Sequence, residues 1–299
     1  MTPRAADRLF DALCRAALGA VLGATALVVL PLVARGGPHL SWAFVSTRPT
    51  ADLARGGVLP AVVGTALCTL LMTVAVLPLG VGAGLYLAEI APSRSRLASL
   101  VRASLRNLAA VPSVVFGLFG VGFLVLGVGR AMDAVLYPGL GAVFGRPSVL
   151  WSSVTLATLT LPVVAVTAEE ALRAVPQAQR EAAAALGATR AEVLLRVVLP
   201  QARGGILTGA ILAVGRGAGE VAPILFTGVA SYAPTLPTDA RQMFMHLAHH
   251  VHVLATQAPD AGAARPALEA SALLLFALTL SLNLVAITLR NRAPGAHRG

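Results

Sequence analysis

Six long apolar runs constrain the fold of this chain more than any other feature of its sequence. They cover about residues 16–34, 60–88, 108–128, 151–168, 204–230 and 268–289. A helix of roughly 20 apolar residues crosses a bilayer, and the first run exceeds the core of a signal peptide, so we interpret it as an uncleaved span. With charged residues at only 12% and a mean hydropathy of +0.79, the sequence predicts an all-α, multi-pass membrane protein with six transmembrane helices.

The arginines predict how these spans are oriented. All 23 basic residues are arginine, and the N-terminus, residues 91–107, residues 171–203 and the C-terminal tail hold 15 of them. The three opposite loops hold seven. Because positive charge concentrates in cytoplasmic loops, both termini and the 171–203 connection are expected in the cytoplasm, and the net charge of +10 needs no nucleic-acid partner.

One of the cytoplasmic connections has the pattern of a helical corner. Residues 181–200 read Glu-Ala-Ala-Ala-Ala-Leu-Gly-Ala-Thr-Arg-Ala-Glu-Val-Leu-Leu-Arg-Val-Val-Leu-Pro. The alanine run favours a first helix, and Gly187 supplies a left-handed residue that ends it. Thr189 and Glu192 have the spacing of a capping box at the start of a second short helix, which Pro200 is expected to end. Such a corner, exposed between spans, is suited to docking on another protein.

The remaining arginine, Arg216, lies inside the fifth predicted span. It occurs in Gly-Arg-Gly-Ala-Gly-Glu-Val-Ala-Pro, residues 215–223, with Glu220 one helical turn later on the same face. Ionisable groups at membrane depth usually line a cavity or a solute pathway, and the glycines allow close packing or local unwinding. Arginine presents a fork of donors that fits an oxyanion. The pattern therefore favours a polar site on a solute pathway. The structural alternative is an ion pair that only holds helices together.

The corner resembles the cytoplasmic coupling loop in permease subunits of bacterial ATP-binding-cassette importers. Seven positions fall in the register of that motif, with Val where Ile is more usual at one of them: Glu181, Ala182, Ala183, Gly187, Val197, Leu199 and Pro200. The resemblance implies a type I ABC importer permease fold with a cytoplasmic coupling helix. It also implies that these seven residues engage an ATPase.

A longer resemblance points to phosphate. The segments 185–189, 197–200, 205–209 and 215–227, with the ending 282–290, are similar to the PstA-type permeases of phosphate importers. Gly217 and Val221 stand where that family more often has Ala and Thr. The resemblance implies a multi-pass subunit of the bacterial inner membrane that is not itself an enzyme. It further implies that Arg216 and Glu220 lie on the translocation pathway of the phosphate ion.

The resemblance also implies a set of partners and a division of the chain. The partners are a PstC-type sister permease, a dimer of PstB-type ATP-binding subunits and a PstS-type phosphate-binding protein, and no nucleic acid. Without any lysine the chain cannot form a Walker phosphate loop, so no cofactor is expected in this chain and ATP-Mg is expected on the partner ATPase. We assign residues 1–59 to a cytoplasmic tail, first span and outer loop, residues 60–290 to the permease domain, and residues 291–299 to a cytoplasmic tail.

Other readings stay open at the level of sequence. The substrate could be another oxyanion, such as molybdate or sulfate, and Arg216 with Glu220 could instead form the charge relay of an ion-coupled carrier. His246, His249, His250 and His252 resemble a metal cluster, but without a nearby acidic partner we expect a solvated or interface histidine patch, so we predict no metal site. Cys14 and Cys68 lie in or beside apolar runs, so we expect no structural disulfide.

Overall fold

A computed structural model describes residues 3–50, 52–92 and 95–292, which form helices and connecting loops and no β-strand. Among these residues, six helical segments are long and apolar enough to cross a membrane, in agreement with the six predicted spans. They are Phe10–His39, Leu59–Ile90, Ser113–Leu136, Val149–Arg173, Arg190–Gly219 and Ala261–Arg292. Most of the C-terminal tail assigned to 291–299 lies outside the described residues.

The helices are numbered in chain order, and three of the spans include π-helical turns. The helices are α1 Pro3–Gly36, α2 Trp42–Ser46, α3 Leu59–Leu85, α4 Arg96–Ala109, α5 Ser113–Phe119, α6 Arg130–Leu136, α7 Val149–Arg173, α8 Gln177–Ala185, α9 Arg190–Val193, α10 Leu199–Gly219, α11 Ala222–Thr227, α12 Leu247–Thr256 and α13 Ala261–Arg292. The π-helical turns Tyr86–Ile90, Gly120–Gly129 and Leu194–Val198 extend α3, join α5 to α6, and join α9 to α10.

The centre of the bundle is the parallel packing of α3 against α7, in which Gly80 lies opposite Val164 and Gly84 lies opposite Ala168. Two small residues on α3 allow it: a β-carbon at Gly80 would lie 2.6 Å from a methyl group of Val164, and one at Gly84 would lie 2.7 Å from the β-carbon of Ala168. By contrast, a β-carbon at Gly82 would meet nothing within 4 Å. The glycine pair therefore brings two backbones into close contact, as small residues commonly do between membrane helices.

One end of the bundle carries the 181–200 corner, and we call it the corner end. Arginine–glutamate contacts tie its helices together. Glu169 of α7 accepts a hydrogen bond from Arg102 of α4 at 2.8 Å and lies 2.9 Å from Arg173, and both arginines donate to the carbonyl oxygen of Leu87. The amphipathic α4 begins at a Ser95 cap and is thereby held across the ends of α3 and α7.

The fifth span differs from its prediction. We expected it over about 204–230, but α10 starts earlier, at Leu199, and ends at Gly219; the shorter helix α11 follows. Three glycines within five residues weaken the end of α10. Pro223 lacks an N–H and would clash with the preceding turn of a continuous helix. The chain therefore breaks at Glu220, whose backbone is extended.

We expected a solvated or interface histidine patch, and the solvated alternative is wrong. His246, His249 and His250 are almost fully buried at the start of α12, and only His252 is exposed. Burial lowers the pKa of His246 to about 3 and that of His250 to about 4, so both rings are neutral at physiological pH. The described residues contain no group of three potential metal ligands. These rings therefore belong to the packing between α12 and its neighbours α3 and α13.

Candidate functional site

The corner forms as two helices joined by a tight reversal. Gly187 has φ +86°, in the left-handed region, and ends α8. The Gly187 N–H donates to the carbonyl of Ala184, and the Ala188 N–H donates to that of Ala183, which is the hydrogen-bond pattern of a Schellman cap. Leu186, at the tip, has 91% of its surface exposed. The reversal therefore presents an apolar side chain away from the bundle.

The second arm begins at the predicted capping box. The Glu192 N–H donates to the Thr189 hydroxyl at 3.3 Å, and the Thr189 N–H donates to the Glu192 carboxylate at 3.0 Å. Its end is not where we predicted it, because Pro200 does not stop the helix. Helical structure continues from Arg190 to Gly219. At the end of the π-helical turn, the Leu199 N–H donates to the carbonyl oxygen of Leu194. Pro200 then lies in the first turn of α10, where no N–H is required.

The two arms are attached to the bundle by different means. The second arm is packed: Val198 is fully buried in a cluster with Leu172, Val175 and Ala202. The first arm, α8, has no buried residue. Of the seven predicted coupling positions, Glu181, Ala182, Gly187 and Pro200 are exposed, and Ala183, Val197 and Leu199 are partly buried. The structure thus brings all seven to one corner with their surfaces at least partly accessible.

An ion pair that sequence reasoning missed holds α8. The Arg180 Nη1 atom lies 2.7 Å from both carboxylate oxygens of Glu89, in the π-helical turn that ends α3. Its Nη2 atom donates to the carbonyl oxygen of Leu172 at 2.6 Å, and Nε donates to that of Val175. Each side chain of the pair is only 17% exposed. The partners are 91 positions apart in the sequence, so no local sequence pattern predicts the contact.

The second predicted site lies at the break after α10. Arg216 Nε donates to Glu220 Oε1 at 3.2 Å, the one contact recorded between them, and the side chains are 39% and 19% exposed. The Nη groups of Arg216 make no hydrogen bond with any described residue. The arginine therefore keeps free donors beside a carboxylate, at a place where the helix has unwound.

The packing of α10 against α7 gives the depth of this pair. Gly205 approaches Ala171 and Gly209 approaches Thr167, so the two helices run antiparallel. Continuing that register places Arg216 level with about Thr160, halfway along α7. Arg216 therefore lies near the C-terminal end of α10 and level with the middle of α7.

A third polar group adjoins this site. Asn283 of α13 packs its amide against Gly215, where a β-carbon would lie 3.0 Å from the amide nitrogen. The Asn283 side-chain oxygen is buried and has no hydrogen-bond partner among the described residues. Gly215 thus permits a close approach that puts the polar side chain of Asn283 against α10, at the position before Arg216. A lone Asn within an apolar run is the sequence signal that could have indicated it.

Comparison with known proteins identifies the family of this chain. Residues 80–292, which include the break, the corner and the Arg180–Glu89 pair, match the family described as binding-protein-dependent transport system inner membrane component. The chain belongs to this family. As a family member it is a transport subunit of a multi-subunit importer, which works with a separate binding protein and with a separate subunit that hydrolyses ATP.

Several relatives of this inner membrane component are similar over most of its length. It is 32% identical to a probable ABC transporter permease protein, YqgI, of Bacillus subtilis over 76% of this chain and 70% of the relative. It is 34% identical to a probable phosphate transport system permease protein PstA of Methanocaldococcus jannaschii over 71% and 69%. It is 35% identical to a phosphate transport system permease protein PstA of Yersinia pestis over 68% and 64%.

Solved structures establish the fold of the inner membrane component. A chain of a bacterial alginate ABC transporter matches with a TM-score of 0.67 over 97% of this chain and 96% of the other, at 16% identity. A chain of the MetNI methionine ABC transporter matches with a TM-score of 0.52 over 78% and 94%, at 20% identity. The six-helix, type I ABC importer permease fold predicted from the sequence is therefore confirmed.

Proposed function

We propose that this chain is the PstA-type permease subunit of an ATP-driven importer of inorganic phosphate. The observation that carries the proposal is the Arg216–Glu220 pair, held halfway through the bundle at a break in α10. The names of the similar permeases support phosphate as the substrate. In this proposal a PstC-type permease completes the pathway, a PstS-type protein delivers phosphate, and a PstB-type dimer binds ATP-Mg and hydrolyses the nucleotide. Residues 60–290 form the permease domain.

The chemistry of the pair fits an oxyanion that carries a proton. The free Nη donors of Arg216 can bind two phosphate oxygens, as guanidinium groups commonly do. Glu220 holds the guanidinium by one contact, so an arriving anion can replace that contact without breaking a network. Phosphate near neutral pH retains at least one O–H, which the Glu220 carboxylate can accept, whereas sulfate and molybdate offer only acceptors and are repelled. The pair therefore favours phosphate over those anions.

In this mechanism the corner couples ATP hydrolysis to transport. The corner end faces the cytoplasm, as the arginine distribution predicts, and both termini lie on that side. Glu181, Ala182, Ala183, Gly187, Val197, Leu199 and Pro200 contact the ATPase. Closure of the ATPase dimer on ATP moves the corner and opens the pathway outward, and hydrolysis resets it. Phosphate passes Arg216 without any covalent step.

Uptake of labelled phosphate at low micromolar concentration tests the assignment. Cells that lack this gene and all other phosphate importers are compared with the same cells carrying the wild-type gene, with labelled sulfate and molybdate measured in parallel. We expect restored phosphate uptake that stops on ATP depletion and persists when the ion gradient is collapsed. Restored uptake of sulfate or molybdate alone would indicate another oxyanion. Uptake that follows the ion gradient and ignores ATP would indicate a carrier.

A further inference from the structure

The ion pair between α8 and the end of α3 has a geometry that suits transmission of movement. Both carboxylate oxygens of Glu89 lie 2.7 Å from one nitrogen of Arg180, and both side chains are largely shielded from water. Contacts of this kind between charged groups are short and directional. Two carbonyls at the end of α7 and just beyond it bind the remaining nitrogens of the same guanidinium. One side chain thus joins α8 to both central helices.

Arg180 provides the main attachment of α8 to the bundle. No residue of α8 is buried, so apolar packing does not fix the helix to the bundle. The second arm of the corner has Val198 fully buried and needs no such link. A displacement of α8 would therefore reach α3 through Arg180 and Glu89. Along α3, the tight contacts at Gly80 and Gly84 would carry the displacement to α7.

We propose that the Arg180–Glu89 ion pair is the link that transmits movement of α8 to the transmembrane bundle. The proposal rests on the proposed function, because it takes α8 as the element that the ATPase moves. Arg180 is a positioning residue: it touches neither the substrate nor the nucleotide. The link differs from the seven coupling positions because it faces the bundle rather than the partner. It specifies how a push on the surface of the corner becomes a shift of α3.

The test uses the complete transporter in proteoliposomes, with ATP hydrolysis and phosphate uptake measured together. The variants are Arg180→Gln, Glu89→Gln and the exchange Arg180→Glu with Glu89→Arg. Arg265→Gln is the matched control, because Arg265 also pairs with a glutamate, Glu269, but is 63% exposed at the opposite end of the bundle. The quantities compared are co-purification of the ATPase and the ratio of hydrolysis with and without phosphate-loaded binding protein.

We expect both single variants to retain the ATPase and to lose stimulation and uptake at least tenfold. The exchanged pair should show at least threefold more stimulation and uptake than either single variant. Arg265→Gln should match wild type. Single variants within twofold of wild type would overturn the proposal, and so would loss of the bound ATPase, which would make the pair part of the docking surface. If wild type itself shows no stimulation by phosphate, the proposed function fails and not the link.

A covalent substitute for the ion pair separates transmission from mere stabilisation. In a background with Cys14→Ser and Cys68→Ala, the double variant Glu89→Cys with Arg180→Cys is joined by a short, reducible thiol cross-linker. We expect stimulation of hydrolysis to be absent before cross-linking, restored by it, and lost again on reduction. A cross-linked protein that stays unstimulated, although each background control is active, would contradict the proposal.

Discussion

The two arginine–glutamate pairs of this molecule, Arg216–Glu220 and Arg180–Glu89, differ in the properties that decide whether an ion pair opens. The first joins neighbours on one helical turn by a single 3.2 Å contact and leaves the arginine 39% exposed. The second joins residues 91 positions apart by two 2.7 Å contacts, with both side chains 17% exposed and further carbonyls bound. The comparison indicates that one pair is built to exchange a partner and the other to keep it.

The largest effect is expected from removing the positive charge of Arg216. Arg216→Gln deletes the cation that attracts the anion, and loss of a charged hydrogen bond to a substrate costs about 3 kcal/mol or more, so phosphate uptake should fall at least a hundredfold. Arg216→Lys keeps the charge but loses the fork and should retain part of the activity. Uptake rates in cells, with membrane levels of the permease measured alongside, check this prediction. Full activity of Arg216→Gln would make the pair structural.

A smaller loss is expected from Gly187 at the corner. A β-branched residue in the left-handed conformation costs about 1–2 kcal/mol, so Gly187→Val should distort the reversal and reduce uptake roughly tenfold while the protein still inserts. Gly187→Asn is the matched control, because Asn adopts this conformation more readily. Normal uptake by Gly187→Val, with the variant present in the membrane, would show that the shape of the corner does not matter for coupling.

Replacing Glu220 tests whether the Arg216–Glu220 pair selects phosphate over sulfate. Glu220→Gln replaces an acceptor that repels sulfate with a neutral amide, so the preference for phosphate over sulfate should drop by about tenfold, or about 1.4 kcal/mol. Competition of unlabelled sulfate against labelled phosphate uptake measures it. An unchanged preference, in a variant that still transports phosphate, would place selectivity elsewhere in the importer.

The smallest effect concerns the packing that lets α3 and α7 move as a unit. Gly84→Val would force a side chain against Ala165 and Ala168, and overpacking of this kind costs about 1–3 kcal/mol, so the detergent-solubilised protein should melt several degrees lower. Gly82→Val is the control on the same helix, since its β-carbon meets open space. Equal melting temperatures for the two variants would contradict the claim that tight packing at Gly84 couples α3 to α7.

The sequence alone predicts the parts of this architecture that depend on local patterns. Six apolar runs, the left-handed Gly187, the Thr189–Glu192 capping box and the one-turn spacing of Arg216 and Glu220 all arise within a few residues of one another. They could therefore be predicted from spacing and conformational preference. The resemblance to importer permeases added the family, which the comparisons confirmed.

The parts that failed depend on contacts between distant segments. The Arg180–Glu89 pair and the approach of Asn283 to Gly215 exist only once α3, α8, α10 and α13 are assembled. The histidines at the start of α12 looked like a polar loop because composition does not reveal that packing against α3 and α13 buries them. Pro200 looked like a helix stop because a proline pattern does not show that a π-helical turn precedes it. The first two contacts were missed, and the errors on the histidines and Pro200 came from inferring burial or helix continuity from local sequence.

The most direct measurement of the central claim is a stoichiometric one. This chain is purified with its sister permease and ATPase dimer, reconstituted in proteoliposomes, and supplied with phosphate-loaded binding protein on one side and ATP-Mg on the corner side. The account predicts that phosphate crosses only while ATP is hydrolysed, in a fixed ratio and without any ion gradient. Phosphate entry that proceeds without ATP and follows an imposed ion gradient would contradict it.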